Sequence, residues 1–473
     1  MTDVKQMDYW ELRKHVSKIV PRMTQIFSSS RKAEIVREKG RKKNYSQFNL
    51  RHGEWRKQER LLNTEEINSF LEISVRAAAC PMPFNLDVWD GLICPYNCIY
   101  CFANSFRASL YTAFFDNSKT MGLRHCNTDY YIREMGKMEK YRSMSLDEKR
   151  NLSGINKAFA LEIPVRMGIR FEDFLRNEGR HGVSLRLLQY LKEIEYPVMI
   201  NTKSDLVAQE NYVKAMADNK AKAAVHITMI TSNEEIVKKL EPGAPSYARR
   251  LEAIRKLSDA GIRAVPRIEP FLYLLTDEPD YVEQYMQDIW DAGARHITFD
   301  TYSYTANNSG LRQNFINEGY DYDRMFEAGC DSQPFGSLLL GKFMELFRER
   351  GFSCSTFDMG NAPSNDQWVC CEVTDWFNGG FNYGSTVFAA RYIASKKGTP
   401  VTWGMFDKWV YKHGGFLTEE LRREVKELWN LGGNMAYSHK WAAGMVPAGR
   451  DEDGIIWRLG NIDDRETLIN NTL

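Results

Sequence analysis

The sequence predicts an α/β fold, a partial (β/α)6 TIM-like barrel that occupies residues 80–301. Between residues 84 and 301, short apolar segments alternate with amphipathic helical segments, which is typical of a parallel sheet with crossover helices. Gly261 and Gly293 each end a helical segment just before an apolar one, as helix-terminating glycines do. A helical, partly basic N-terminal region, 1–79, precedes the barrel, and an aromatic-rich C-terminal region, 302–473, is expected to cap it.

Six strands and five helices make up the predicted barrel. The strands are expected near residues 84–90, 158–166, 197–202, 222–230, 263–270 and 296–301. The helices are expected near residues 103–115, 183–194, 208–217, 246–260 and 280–292. Residues 116–157 exceed the length that a return helix needs, so we interpret them as an insertion. A barrel of this kind places its chemistry at the C-terminal ends of its strands.

The N-terminal region combines predicted helices with a basic segment. Apolar residues at helical spacing predict one helix between Tyr9 and Met23 and another between Thr64 and Val75. Residues 31–60 contain eleven Lys or Arg against four Glu, a net charge of +7 in a chain whose total is +1. Aromatic residues are interleaved there, which suits a phosphate backbone and stacked bases. DNA is therefore a predicted partner, although a solvated helical face would give the same pattern.

The composition is that of an ordinary globular protein. Hydrophobic residues make up 43% and charged residues 26% of the 473 positions. The first twenty residues carry several charges, so no signal-peptide core is predicted, and no apolar run is long enough to predict a membrane span. Nine cysteines in a chain of this length do not predict a disulfide scaffold.

The motif around which the chain is organised is a C-x3-C-x2-C spacing formed by Cys94, Cys98 and Cys101. Thiolates are the usual ligands of iron–sulfur clusters, and a four-iron cluster normally takes four of them. Three cysteines would hold three irons and leave the fourth open to a small molecule. The alternative is a tetrahedral zinc site or a chance grouping of cysteines.

The triplet and its flanks resemble the radical S-adenosylmethionine (SAM) superfamily. An apolar segment leads from Phe84 to Trp89 into the cysteines, Tyr100 precedes the last of them, and a helical pattern follows from Ala103. The resemblance implies a 4Fe–4S cluster that binds SAM at its open iron and cleaves it to methionine and a 5′-deoxyadenosyl radical. It also implies an external electron donor, flavodoxin-like or ferredoxin-like. Because oxygen damages such clusters, it further implies a cytoplasmic location.

Three later segments are similar to the spore photoproduct lyase branch of that superfamily. They are Asn201-Thr202-Lys203-Ser204, the hydroxyl pair Thr231-Ser232, and Leu240-Glu241-Pro242-Gly243-Ala244-Pro245-Ser246 followed by arginine. The match covers about residues 84–300. The resemblance and the chemistry of the side chains give Tyr100, Gly168, Lys203, Ser204, His226 and Thr228 as cofactor-binding candidates.

Each of these candidates also has a structural interpretation. Lys203 and Ser204 could reach a carboxylate or a ribose oxygen, or instead extend to solvent and cap the next helix. His226 and Thr228 share a face of the fourth strand by its period of two, and a satisfied core histidine is as good an interpretation of His226. Gly168 fits the glycine turn that the family places near the amino group of SAM.

Tyr96, Tyr100 and Cys126 are the catalytic candidates. The two tyrosines lie in the cysteine segment and could relay hydrogen atoms or simply pack there. The lyase has a hydrogen-donor cysteine roughly forty residues beyond its cluster. In this chain Cys126 follows Cys101 by 25 residues and is the one cysteine between the triplet and the second predicted strand. This departure argues against photoproduct repair as the reaction.

Other polar residues are less clear from the sequence. Glu172 and Asp173 follow the second predicted strand and are either SAM contacts or helix caps. Arg267 and Glu269 share one face of the fifth strand and are expected to form a polar pair inside the barrel. The late cysteines are interpreted as reduced, partly buried thiols, with an auxiliary cluster or a hydrogen donor as alternatives. These are Cys354, Cys370 and Cys371.

The resulting hypothesis is a radical SAM enzyme that abstracts hydrogen from a substrate, with a modified thymine in DNA as the sharpest candidate. A tailoring or isomerisation reaction is favoured over repair. A small molecule or peptide is the alternative substrate class. A nucleic-acid-binding protein with a structural metal site and no catalysis is the alternative of another class.

Overall fold

A computed structural model gives the arrangement of most of the barrel and parts of its flanks. The described residues are 4, 6–18, 65–67, 71–73, 84–91, 94–101, 123–152, 156, 159–169, 171–217, 222–302, 314–322, 325, 335–356, 365–367, 370–373, 376, 390, 393–394, 400–412, 419–430 and 445–459. The basic segment 31–60, the predicted helix 103–115 and residues 116–122 of the predicted insertion lie outside them.

The described strands and helices follow each other along the whole chain. The strands are β1 (Glu65–Ile67), β2 (Leu71–Ile73), β3 (Phe84–Leu86), β4 (Trp89–Asp90), β5 (Arg124–Cys126), β6 (Val165–Met167), β7 (Val198–Thr202), β8 (Ala223–Thr228), β9 (Arg263–Phe271), β10 (His296–Thr301), β11 (Ser353–Thr356), β12 (Met445–Asp451) and β13 (Gly454–Leu459). The helices are α1 (9–18), α2 (Thr128–Met135), α3 (Met138–Ser143), α4 (Leu146–Asn151), α5 (Glu178–His181), α6 (Val183–Glu193), α7 (Glu210–Met216), α8 (Glu234–Leu240), α9 (Tyr247–Asp259), α10 (Pro279–Asp291), α11 (Gly336–Glu349), α12 (Trp403–Lys412) and α13 (Glu419–Asn430).

The central sheet confirms the predicted α/β class. Its order is β11-β10-β9-β8-β7-β6-β3-β2, and all neighbours from β3 to β11 are parallel. Strand order equals chain order through these seven parallel strands, as in a singly wound partial barrel. All six predicted barrel strands are present. The seventh, β11, was not predicted, because Ser353-Cys354-Ser355-Thr356 has no apolar run to mark it.

Two predicted elements are wrong in type or position. The helix predicted between Thr64 and Val75 is replaced by β1 and β2, because β1 pairs with β5 and β2 pairs antiparallel with β3. The local pattern of apolar residues is compatible with a helix and with a strand, and these tertiary pairings favour the strand. The second barrel strand begins at Val165 rather than near residue 158, since Pro164 has no N–H to donate and the ladder starts after it.

The central sheet has one apolar and one polar face. The apolar face carries residues such as Ile200, Ile227 and Phe299, which are buried among the core residues. We call the opposite side the polar face, because the strand registers bring hydrogen-bonding side chains into line across it. Its members are Asn85, Arg166, Asn201, His226, Thr228, Arg263, Arg267, His296, Thr298 and Ser355.

The remaining described elements form two smaller units. β1, β5 and β4 make a three-stranded sheet, and the β12–β13 hairpin packs with α12 and α13 through Trp403, Trp429 and Trp457. The aromatic residues of this part of the C-terminal region are therefore buried in the same continuous core as the barrel. Across the residues that the structure describes, no helix has the length and apolar character that crossing a bilayer requires.

Candidate metal and cofactor centre

The three cysteines of the motif lie on one loop, residues 94–101, which we call the cysteine loop. Its backbone makes two successive turns, in which Asn97 N donates to Cys94 O at 3.0 Å and Cys101 N donates to Cys98 O at 3.1 Å. Cys98 is buried, whereas Cys94 and Cys101 are partly exposed. The three thiols are close enough to interact electrostatically. The loop therefore presents all three cysteines in one small region.

The donor set fits an iron–sulfur cluster, whose irons are held by cysteine thiolates. Burial raises the pKa of the Cys98 thiol, and the Lys203 ammonium acts in the opposite sense by favouring a thiolate there. Within the described residues, no three His, Cys, Asp or Glu side chains converge on one ion position. A cluster does not require such convergence, since each thiolate binds a different iron.

The cysteine loop is held against the turn that follows α8. Ile99 N donates to Leu240 O at 2.9 Å, and Gly243 N donates to Tyr96 O at 3.1 Å. A β-carbon on Gly243 would lie 2.2 Å from Pro95 O, so the two backbones approach too closely for any side chain there. The segment around Gly243, which resembles the lyase branch, thus has a structural reason for its glycine, namely close contact with the cysteine loop.

Lys203 and Ser204 lie beside the cysteine loop. Lys203 Nζ is 5.5 Å from the centroid of the Tyr100 ring. Ser204 accepts from Leu206 N at 3.1 Å, as the helix-cap interpretation expects, and also interacts with the Tyr96 hydroxyl. Because both residues follow the last residue of β7, the cysteine loop lies at the carboxyl edge of the sheet.

Glu172 and Asp173 act as backbone clamps in this structure. Glu172 accepts from Thr202 Oγ1 at 2.6 Å and from Lys203 N at 2.9 Å, which ties the turn after β6 to the end of β7. Asp173 accepts from Val88 N at 2.8 Å and from Trp89 N at 3.0 Å. Burial raises the pKa of both carboxyls. Their hydrogen bonds go to the protein backbone and to Thr202, and they fix the strand ends around the site.

Gly168 is required where β6 ends. Its φ of 72° is left-handed, and a β-carbon would lie 1.9 Å from Asn201 O. Its N–H donates to Asp173 Oδ2 at 3.0 Å. The glycine that the family resemblance singled out therefore permits the close approach of two strand ends.

His226 and Thr228 both lie on the polar face, as the strand period predicts. His226 Nε2 is 3.0 Å from Cys371 O, so the ring donates to this carbonyl. Burial, followed by the charge of Arg267, holds the pKa of His226 well below its usual value. Thr228 offers its backbone carbonyl to Arg250 Nη1 at 2.6 Å. Neither residue has a described contact with the cysteine loop.

The three catalytic candidates are not brought together. Tyr96 and Tyr100 are buried in one apolar cluster with Cys98, whereas Cys126 belongs to the main core. The hydroxyl of Tyr96 is 3.4 Å from Phe174 O, and that of Tyr100 donates to Glu241 Oε1. Burial raises the pKa of Cys126, whose backbone is bonded to Val88. The structure thus separates Cys126 from the two tyrosines.

Residues 370–372, of which the sequence singled out only the thiols of Cys370 and Cys371, lie against the polar face. Their three consecutive carbonyls accept from side chains of three strands: His296 Nε2 at 3.1 Å, His226 Nε2 at 3.0 Å and Arg263 Nη1 at 2.7 Å. The sulfurs of Cys370 and Cys371 are 3.9 Å apart. The hydrogen bond from Cys370, with help from nearby arginines, lowers the pKa of the Cys371 thiol to about 7.

Several buried polar atoms of the polar face have no hydrogen-bond partner among the described residues. They are Asn201 Oδ1, Arg267 Nε, Thr298 Oγ1 and Ser355 Oγ. Arg267 also forms the predicted ion pair with Glu269. Leaving buried polar groups unbonded costs about 1–3 kcal/mol each, so such groups usually meet water or a bound molecule.

Comparisons with known proteins give distant similarities. No family model matches the chain. Uncharacterized proteins of Mycobacterium bovis and Mycobacterium tuberculosis are 26% identical over 134 residues, which is 28% of this chain and 39% of their own length. The chain thus matches well under half of these relatives.

Among solved structures, two radical SAM enzymes are similar. One is spore photoproduct lyase complexed with a dinucleoside spore photoproduct, with a TM-score of 0.40, 14% identity and coverage of 58% of this chain and 76% of that one. The other is Streptococcus suis SuiB bound to S-adenosylmethionine, with a TM-score of 0.36, 11% identity and coverage of 59% and 51%. Since both TM-scores are below 0.5, neither similarity supports a functional argument.

Proposed function

We propose that this chain is a radical SAM enzyme, in which Cys94, Cys98 and Cys101 hold three irons of a 4Fe–4S cluster. The observation that carries this proposal is the position of the three thiols. They lie on one loop at the carboxyl edge of a parallel sheet, beside the ammonium of Lys203. When bound, the cluster and SAM would supply a 5′-deoxyadenosyl radical that abstracts hydrogen from the substrate.

The residues around the loop would bind and orient SAM. Lys203 supplies a positive charge suited to a carboxylate, and Ser204 a hydroxyl that can bond to the same group. Tyr100 and Gly168 border this edge, with the ring of Tyr100 under the Lys203 ammonium. His226 and Thr228 lie on the polar face, and we assign His226 the role of holding residue 371 rather than SAM.

The polar face is the proposed place for the substrate. Its unpartnered hydroxyls at Thr298 and Ser355, and Nε of Arg267, could bond to a polar molecule such as a nucleobase. A modified thymine in DNA is the proposed substrate, in a tailoring or isomerisation reaction, and in a duplex this base would have to be flipped out. Tyr96 and Tyr100 remain proposed hydrogen relays. The core position of Cys126 argues against a direct role for that residue.

The test is anaerobic reconstitution of the full chain with iron and sulfide, followed by reduction, addition of SAM and detection of 5′-deoxyadenosine. We expect a broad visible absorbance band and product formation that Cys94→Ser, Cys98→Ser or Cys101→Ser abolishes. Stimulation by DNA, weakening as salt rises, would favour the base substrate over a small molecule or peptide. Bound zinc with no product would reject the enzyme and leave a structural metal site.

A further inference from the structure

A buried ion pair lies directly behind the cysteine loop. Glu241 follows the last residue of α8 and Arg250 lies in α9, and both side chains are fully buried, with Arg250 Nη2 2.5 Å from Glu241 Oε2. Burying two charges costs free energy unless their other hydrogen-bonding groups are also satisfied. Arg250 meets this need by donating to Thr228 O at 2.6 Å and to Pro245 O at 2.9 Å. The pair therefore ties the end of β8 to the turn after α8.

The same ion pair is connected to the cysteine loop by a side chain. The second oxygen of the Glu241 carboxylate accepts a hydrogen bond from the hydroxyl of Tyr100, the residue just before Cys101. This bond adds to the two backbone bonds between the loop and the 240–243 turn. Residues 96–100 are thus held at three points, all on one side of the loop.

The charges of the pair also lie next to the loop. The Glu241 carboxylate accepts from the hydroxyl of Tyr100, between Cys98 and Cys101, so its negative charge disfavours more negative charge on the loop. The Arg250 guanidinium, which is buried against that carboxylate, has the opposite sign. Reduction of a cluster adds negative charge, so the two members of the pair should affect its reduction in opposite directions.

We propose that Glu241 and Arg250 are positioning residues of the cysteine loop, which hold it in shape for its cluster and set the cluster's reduction potential. The proposal rests on the proposed function, because it needs a cluster on the loop. It assigns a role to the segment around Glu241, which the sequence indicated only through its resemblance to the lyase branch.

The experiment compares the reconstituted full chain with four variants. The measurements are iron and sulfide content, the rate at which a ferrous chelator removes iron, and the reduction potential from a titration followed by visible absorbance. Tyr100→Phe removes one hydroxyl and should release iron about tenfold faster, as expected for loss of a hydrogen bond to a charged group. Glu241→Gln should raise the reduction potential and Arg250→Gln should lower it.

Tyr212→Phe is the matched control, because the hydroxyl of Tyr212 donates to the buried Glu178 carboxylate in the main core. This variant should match the unaltered chain in iron release and in reduction potential.

The outcomes separate this proposal from the proposed function. In one outcome the unaltered chain binds iron, and Tyr100→Phe and the charge variants match it in the rate of iron release and in reduction potential. This result rejects the positioning role and leaves the cluster assignment in place. A chain that never binds iron instead rejects the cluster. If the charge variants do not fold, as circular dichroism would reveal, the iron-release rate of Tyr100→Phe against Tyr212→Phe decides.

Discussion

Two buried histidines of the polar face lie in surroundings that favour the neutral imidazole. His226 and His296 are each about 1% exposed, and each donates through Nε2 to a backbone carbonyl of residues 370–371. Burial lowers the pKa of His296 to about 4, and that of His226 also falls well below its usual value. The neutral imidazole is therefore the form that the fold accommodates.

We predict that acid weakens the fold through these two residues. The unfolded chain, with histidine pKa values near 6.5, binds protons that the folded chain does not, so stability is lost as pH falls from about 6.5 to about 4. For His296 alone, this loss amounts to about 3 kcal/mol. Urea unfolding at several pH values should show it, and His296→Gln should lose less stability over this range. An unchanged pH slope in that variant, with His15→Gln as the control, would contradict the prediction.

Among the elements, α1 depends on one buried carboxylate. Tyr9 and Arg13 of this helix both bond to Asp277 Oδ2, at 2.5 Å and 2.9 Å, in the segment between β9 and α10. Asp277 is fully buried in the ion pair, and the hydroxyl of Tyr273 donates to Arg13 O at 2.9 Å. The helix is therefore attached to the barrel by a polar network as well as by its apolar face.

We predict that Arg13→Met destabilises the protein by about 3 kcal/mol, because it leaves the buried Asp277 carboxylate without its cation. Adding Asp277→Asn to this variant should recover part of the loss. Denaturant unfolding of the two single variants and the double variant measures the coupling. Simple additivity of the two single losses would show that the pair does not act as a unit.

An element could be predicted from the sequence when the residues that determine it lie close together in the sequence. The barrel strands carry their own apolar residues, and the cysteine triplet is local in sequence, so both were recognisable. β11 alternates small polar residues and is a strand because β10 offers it a partner. Residues 370–372 accept their hydrogen bonds through backbone carbonyls, which every residue has, so the sequence does not indicate these bonds. The function of Glu241 depends on Tyr100, a contact across 141 residues that no local pattern contains.

For the molecule as a whole, the barrel is not separable from the chain after residue 301. β11 adds the last parallel strand, and α11 packs Phe343 and Phe347 against Phe299 on the apolar face. Residues 370–372 hold three side chains of the polar face. The predicted boundary at 301 therefore cuts through a structural unit.

We predict that a chain ending at residue 301 does not fold to a soluble monomer, because the edge of β10 and the apolar face would both be exposed. A chain that ends at residue 376 retains β11, α11 and the 370–372 contacts, so it should be more soluble and more fully folded. Gel filtration and circular dichroism of the two truncations distinguish them. A well-folded monomer ending at residue 301 would show that the barrel folds without the later segments.

The order of the strands also bears on how the protein is made. Within the central sheet, each strand from β3 to β11 pairs with the strand of that sheet that was synthesised before it, so the sheet can form strand by strand as the chain leaves the ribosome. At about 5–20 residues per second, residues 370–372 emerge tens of seconds after the cysteine loop. The polar face therefore lacks its contacts with residues 370–372 during most of synthesis, and this delay is the period in which the proposed cluster would be delivered to the cysteine loop.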